Sequence, residues 1–355
     1  MKIPLHVMLR KKSRSLLQNI LSLFTNYTNS KKFINKDEIK SIIIIRPNYR
    51  IGNLILLTPL LNELQKHIPN AKIDIIVGMK LAGQVLEPLP NVDKVFDIPR
   101  KLLRQPIKMF NFIKKTRAKR YDLAINISSG SVSSQIVNSL INAKYKASFF
   151  NEKNWSSLTH VINKEGIYTH AGLQNLEYLK LFNIKLPQQD LHLDIKLIPK
   201  EIEYAQADLT KLLKLANIHE ATKTISLFRN ARFDKKIPDE WWQEWYDELI
   251  KLDKNIIVID ILSPDILSRL NNDFLEYSNK NLRILGAFFS LCDMYISADT
   301  GPMHLASASN AKTLALFNKT NIESYGTLGK KDKTLDIENL TAKNVAQLTY
   351  EHLCL

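Results

Sequence analysis

The hydrophobic pattern opens with four β-branched residues in succession, Ile42–Ile45. A continuous apolar run of this kind predicts a strand buried on both faces of a parallel sheet. A polar loop, Arg46-Pro-Asn-Tyr-Arg-Ile-Gly52-Asn53, follows it, and helical spacing then runs from Leu54 to Ile68. Further apolar runs predict strands at 73–77, 94–98 and 123–127, separated by helical stretches near 101–119 and 131–142. A helical pattern at 171–182 and an extended piece near 191–197 lead to Pro199 and an amphipathic helix over 201–215. A second series then begins. It predicts a strand at 224–228, a Trp-rich helix at 239–252, a strand at 256–261, a short helix from Pro264, an apolar segment at 282–285, strands at 294–298 and 313–317, and a last helix at 342–353. Trp241, Trp242, Trp245 and Leu249 recur at helical spacing, which marks a face for core or interdomain packing rather than a ligand box. Strand and helix alternating twice over predicts an α/β protein with two doubly wound sheets, whose ligands sit at the carboxyl ends of the strands.

The second series contains the most informative turn. Met294–Ala298 stops at Asp299, turns through Thr300 and Gly301, and enters a helix at Pro302, Met303 and His304. Thr and Gly are good residues just ahead of a helix, and Pro is pre-set for its first turn. The amides of Gly301, Met303 and His304 are thereby expected to be unpaired at a helix N-terminus, an arrangement suited to a phosphate.

Composition adds a partner of opposite charge. The 355 residues are 45% hydrophobic and 24% charged, with a formal charge of +15 and two cysteines, Cys292 and Cys354. The length suits two domains, and two cysteines without CxxC spacing suit a reducing compartment. Residues 1–40 carry nine Lys or Arg against Asp37 and Glu38, and nine more lie between Ile98 and Tyr121 with no acid among them. Neither block interleaves aromatics as single-strand nucleic-acid platforms do, so a membrane surface or a phosphorylated glycolipid is the better partner and nucleic acid is not expected. Leu16, Leu17, Ile20, Leu21, Leu23 and Phe24 behind the first basic run read as an interfacial helix, too polar to span a bilayer and without a small-residue cleavage site.

The chemistry is bounded by what is missing. No strand is followed by G-x-G-x-x-G, and there is no P-loop, no D-x-D, no paired-histidine metal spacing and no G-x-S-x-G elbow. Binding of a diphosphate by a helix N-terminus and basic side chains, without a metal or other cofactor, remains.

Three motifs together carry a resemblance. The run Asp299-Thr-Gly-Pro-Met-His-Leu-Ala306, the segment Arg46…Ile51-Gly52-Asn53-Leu54…Thr58-Pro59, and Lys235-Lys-Ile-Pro238…Trp242 resemble glycosyltransferase family 9, the ADP-heptose:lipopolysaccharide heptosyltransferases, from about residue 41 to 330. The resemblance implies a GT-B fold, with two Rossmann-like domains facing a central cleft behind a basic N-terminal helical extension. The expected boundaries are 1–38 for the extension, 39–199 for the acceptor domain and 200–335 for the nucleotide-sugar donor domain. A C-terminal helix within 336–355 is expected to pack back on the first domain.

The resemblance further implies an inverting, metal-independent enzyme at the cytoplasmic face of the bacterial inner membrane. It would move heptose or a related sugar from an ADP-sugar to a lipopolysaccharide core acceptor. In this reading Lys235 neutralises the departing diphosphate, helped by Arg232. Thr300 and Gly301 hold the diphosphate, and Asp299, Pro302, Met303 and His304 complete the donor turn. Asp265 is a candidate for the ribose hydroxyls. Arg46, Gly52, Arg100, Lys101 and Arg104 are the acceptor-side candidates.

Two departures from the family pattern involve three positions. The family's Gly-Asp pair, whose Asp deprotonates the acceptor, is Gly52-Asn53 here, and a neutral amide cannot take a proton. His170 and Glu63 are possible substitutes, and a catalytically impaired nucleotide-sugar-binding or scaffolding protein is the alternative. Asn310 and Asn318 also stand where glycines are usual, which is expected to reshape the base-binding loops.

Overall fold

The computed structural model describes residues 28–98, 106–152, 154, 156–218 and 222–355. Most of the expected N-terminal extension, and Arg100, Lys101 and Arg104, lie outside these residues. The chain folds into two compact units. One holds the described residues up to Arg50 together with Leu60–Ile167 and Gln174–Pro187, and the other holds Ile51–Pro59, Tyr168–Leu173 and Gln188–Leu355.

In the first unit the strands are β1 (Ser41–Arg46), β2 (Lys72–Val77), β3 (Val92–Asp97), β4 (Tyr121–Asn126), β5 (Ala143–Phe149) and β6 (His160–Ile162). They form one parallel sheet in the order β3-β2-β1-β4-β5-β6. Ile42–Ile45 have no exposed surface, as the unbroken β-branched run predicts for a strand covered on both faces. The apolar stretch after β1 divides into α1 (Ile51–Ile55) and α2 (Thr58–His67), where the pattern predicts one helix. Pro59 explains the break, because it offers no N–H to the carbonyl of Ile55. α1 belongs to the second unit; α2, α3 (Ala82–Leu86), α4 (Pro106–Arg117) and α5 (Val132–Leu140) are the α-helices of the first among the described residues. The segment Leu173–Phe182 is a 3₁₀-helix.

The second unit repeats the plan. Its strands β7 (Lys223–Phe228), β8 (Ile256–Ile261), β9 (Leu275–Tyr277), β10 (Met294–Ala298), β11 (Thr313–Phe317) and β12 (Lys333–Asp336) are parallel, in the order β12-β11-β10-β7-β8-β9. Counted from each unit's first strand, both sheets have the order 3-2-1-4-5-6 of the dinucleotide-binding fold. Besides α1, the helices are α6 (Pro199–Leu215), α7 (Asp239–Leu252), α8 (Leu282–Leu291), α9 (Gly301–Ala308), α10 (Ile322–Tyr325) and α11 (Ala342–Cys354). The apolar segment 282–285 is thus the first turn of α8, whose length of ten residues is too great for the short strands around it.

Two sequence expectations are corrected here. No helix starts at Pro264; the residues after β8 form turns closed by a bridge between Ser263 and Ile266. Side chains from elsewhere hold this loop, with Arg229 donating to the Ser268 carbonyl and the Leu270 amide donating to Asp260. The last helix, expected to cross back onto the first domain, packs instead on α7. Trp245, fully buried, donates from Nε1 to Thr349 Oγ1 at 3.1 Å, and Val345, Ala346 and Leu353 join Trp242, Trp245 and Leu249 in one core. The Trp-rich face therefore finds its apolar partner within its own unit.

Candidate functional site

In an open parallel sheet, loops leaving neighbouring strands on either side of the order reversal diverge and leave a crevice. In the second unit those strands are β7 and β10. Lys235 lies in the loop after β7, at the end of a single 3₁₀ turn (Phe233–Lys235), and Asp299 follows β10 directly. The topology brings them together, and Lys235 Nζ donates to Asp299 Oδ2 in an ion pair. The Asp299 side chain is 9% exposed and that of Lys235 30%, so the carboxylate is held within the fold while the ammonium keeps an open side.

α9 begins two residues later. Thr300 is its N-cap, with extended backbone, and its hydroxyl oxygen accepts from the Met303 amide at 3.4 Å. This corrects one sequence expectation: the Met303 amide is already used. The Gly301 amide has no acceptor among the described residues, and the hydroxyl proton of Thr300 is not used in the cap bond. An amide, a hydroxyl and the Lys235 ammonium therefore cluster at the positive end of a helix, the chemistry that holds a diphosphate.

The second feature is a close crossing of α1 and α9. A Cβ on Gly52 would lie 2.7 Å from His304 Cδ2 and 3.3 Å from the Gly301 Cα, and one on Gly301 would lie 2.5 Å from Ile51 Cγ2. Both glycines are thus fixed by close packing across the crossing, chiefly against the His304 and Ile51 side chains, rather than by turn geometry. The crossing seats Asn53 on the donor helix's own unit. Asn53 is half-buried, and its side chain has no hydrogen-bond partner among the described residues.

His304 is buried, and its Nδ1 has no partner among the described residues. Burial holds its pKa well below the usual histidine range; Asp299 opposes this, while His170 and Lys235 add to it. The imidazole is neutral. His170 is neutral as well, because burial lowers its pKa and both ring nitrogens are committed: Nε2 to the Gly326 carbonyl at 3.0 Å and Nδ1 to the Gly172 amide at 3.2 Å. It has no lone pair left for an acceptor hydroxyl and drops out as a substitute base. Glu63 is engaged by Lys66 and His67 on its own helix.

The other candidates fall as follows. Pro302 is half-buried and Met303 fully buried in the first turn of α9. Arg232 is exposed. Asp265 lies exposed in the turn after β8, with Asn230 Nδ2 at 3.5 Å from its Oδ2. Arg46 ends β1 in the first unit and donates from Nη1 to Ser128 Oγ at 3.4 Å, after β4, across the equivalent order reversal of that sheet.

Sequence reasoning missed Arg229. It follows β7 directly and is almost fully buried. Nε donates to Asp260 at 2.9 Å, Nη1 to Asp239 at 3.0 Å and Nη2 to the Ser268 carbonyl at 2.6 Å. The guanidinium closes the loop that carries Arg232 and Lys235, since residues 229 and 239 bracket it. Burial raises the pKa of Asp260, and Arg229 pulls against that rise. An arginine at the carboxyl end of an apolar strand was the signal available in sequence.

Among the described residues, no three His, Cys, Asp or Glu side chains gather as metal ligands, and no helix is long and apolar enough to cross a membrane. Two Rossmann-type units, with a cation and a helix N-terminus at the order reversal of the second, define a GT-B glycosyltransferase. The family described as glycosyltransferase family 9 (heptosyltransferase) matches residues 109–353, and the chain belongs to it. Lipopolysaccharide heptosyltransferase 3 of Escherichia coli is 24% identical over 296 residues, covering 76% of this chain and 81% of that protein. Among solved structures, a glycosyl transferase family 9 protein from Veillonella parvula aligns with a TM-score of 0.73 at 17% identity, covering 91% of this chain and 99% of that one. E. coli heptosyltransferase WaaC with ADP aligns at 0.68 and 22%, covering 88% and 99%. E. coli ADP-heptose lps heptosyltransferase II also aligns at 0.68, with 19% identity and coverages of 88% and 98%. At these identities the solved structures establish the fold.

Proposed function

We propose that this chain is an inverting, metal-independent heptosyltransferase that moves heptose from an ADP-sugar onto a lipopolysaccharide core acceptor at the cytoplasmic face of the inner membrane. The Lys235–Asp299 pair at the N-terminus of α9 carries the proposal. The E. coli relatives supply its terms, one being solved with ADP and another named for lipopolysaccharide.

In the reaction, an acceptor hydroxyl oxygen attacks the anomeric carbon from the face opposite the diphosphate, the bond from that carbon to the diphosphate oxygen breaks, and the hydroxyl proton passes to water or to the departing diphosphate. Charge grows on the leaving diphosphate. The Gly301 amide, the Thr300 hydroxyl and the Lys235 ammonium meet that charge in a fixed arrangement, which lowers the barrier without reorganisation. Asp299 presents Lys235 before donor arrives. Arg232 and Asp265, both exposed, are assigned in this reading to the rest of the donor and Arg46 to the acceptor, while Gly52 serves by letting α1 approach α9. Arg100, Lys101 and Arg104 remain acceptor candidates from sequence alone.

The test is Lys235→Ala, assayed by ADP release from ADP-heptose with acceptor present. A loss of about 10²–10³-fold in kcat is expected, in protein that circular dichroism shows still folded, with some loss of stability because Asp299 is left unpaired; undiminished turnover would falsify the role.

Asn53 favours a second reading, a protein that binds the donor and transfers slowly or not at all, because the amide cannot accept the hydroxyl proton. Calorimetric binding of ADP-heptose without ADP release on adding acceptor would select it.

A further inference from the structure

We propose that α4, Pro106–Arg117, is a membrane-docking surface that lies on an anionic lipid leaflet. This goes beyond the transfer reaction and does not depend on it. The helix has two unlike faces. Phe112 and the buried Thr116, one turn apart, point inward, and Phe112 packs on the cluster of Ile43, Ile45, Ile76 and Tyr121 beneath. Ile107, Phe110, Lys114 and Arg117 recur at i, i+3, i+7 and i+10, which places them together on the opposite face. Ile107 is 77% and Phe110 66% exposed, and Lys114 and Arg117 are exposed beside them.

Large apolar side chains standing free on a helix usually escape notice singly, but here two adjacent ones share a face with cations. The helix itself carries charge of one sign. Lys108 and Lys115 add to it on the helix sides, and no acid lies between Asp97 and Asp122; Lys119, just past the helix, is paired with Asp74. The contrast with α6 is informative. That helix also exposes Ile202 and Tyr204, but Glu201, Glu203 and Asp208 are interspersed with its lysines, so its surface would not favour an anionic leaflet. A face of Phe and Ile ringed by Lys and Arg matches the interface of a negatively charged bilayer. The rings and methyls enter the acyl boundary, and the long basic side chains reach the headgroups.

The experiment uses the full chain with phosphatidylcholine vesicles, with and without phosphatidylglycerol, in a co-sedimentation assay. Salt-sensitive binding to the anionic vesicles is expected. Lys114→Gln with Arg117→Gln should weaken it about 25-fold, at roughly fivefold per charge near the leaflet. Ile107→Ser with Phe110→Ser should weaken it about tenfold or more through lost apolar insertion. All four side chains are exposed, so melting temperatures should hold. In Phe110→Trp, emission should be quenched by brominated lipid. Unchanged vesicle affinity in both double variants overturns the proposal and assigns binding elsewhere in the chain. Binding that survives the Ser pair but falls with the Gln pair, and extends to duplex DNA, overturns it in favour of nucleic acid. A dimer dissociated by the Ser pair, with vesicle binding intact, overturns it in favour of a second copy.

Discussion

The crossing of α1 and α9 makes a quantitative claim about Gly301. An alanine there places Cβ 2.5 Å from Ile51 Cγ2 and 3.4 Å from the Gly52 nitrogen. Ordinary carbon contacts begin near 3.5 Å, so one helix must retreat by roughly 1 Å. Overpacking of this size costs about 1–3 kcal/mol. Because the obstacle is one methyl group, Ile51→Ala removes it. The double variant should therefore be more stable than the sum of the single effects by about 1 kcal/mol or more, the coupling typical of groups in contact. Urea unfolding followed by tryptophan fluorescence suits the measurement, since Trp241, Trp242 and Trp245 report on the core of this unit. The double variant should regain stability while donor binding stays weak, because the new methyl still shields the Gly301 amide. Additivity within about 0.3 kcal/mol would show that close packing does not fix this glycine.

Other outcomes follow from the same geometry. Arg229→Met strands Asp260 in the interior and should cost about 3–5 kcal/mol, with Asp260→Asn in the same chain recovering part of it in urea titrations. Asn53→Asp should raise kcat if the proton acceptor limits transfer; an unchanged pH profile and rate would remove position 53 from the chemistry. Burial lowers the pKa values of His170, His304 and His352, so the unfolded chain binds more protons than the folded one below the ordinary histidine value. Stability should therefore hold above about pH 6.5 and fall below it, by up to about 1.4 kcal/mol per pH unit for each histidine; a flat urea midpoint from pH 7 to 5 would contradict these burials. Burial pushes the Cys292 thiol up to about 12, while Cys354 is exposed, so Ellman's reagent should titrate one native thiol and two after unfolding.

The strongly periodic parts were legible in the chain itself. Ile42–Ile45 read as a doubly covered strand, and the Trp242–Leu249 face read as core or interdomain packing, of which the fold has the core. The donor turn was legible because Thr-Gly-Pro is helix-start grammar. What sequence could not show depends on approach in space. Nothing local says that Thr300 spends its hydroxyl oxygen on Met303, or that Lys235 reaches Asp299 across sixty-four residues. The helix expected from Pro264 gives way to a loop in which Arg229, distant in sequence, and Asp260, near the end of β8, take the Ser268 carbonyl and the Leu270 amide. Pro59 splits one predicted helix into two for a reason that was visible and outweighed by the apolar run. Short edge strands such as β9 and β12 carry too few residues for a period to emerge.

The assignment of Ile51–Pro59 to the second unit has a consequence for synthesis. Leu54–Leu57 are buried in the finished protein, yet the helix that α1 crosses begins at Gly301. At ribosomal rates of about 5–20 residues per second, that partner emerges roughly 12–50 s after residue 59. Throughout that interval an apolar segment waits outside the ribosome with its place not yet made. A chaperone that binds short aliphatic stretches should crosslink to nascent chains once residue 59 has cleared the exit tunnel, and release them after α9 has emerged.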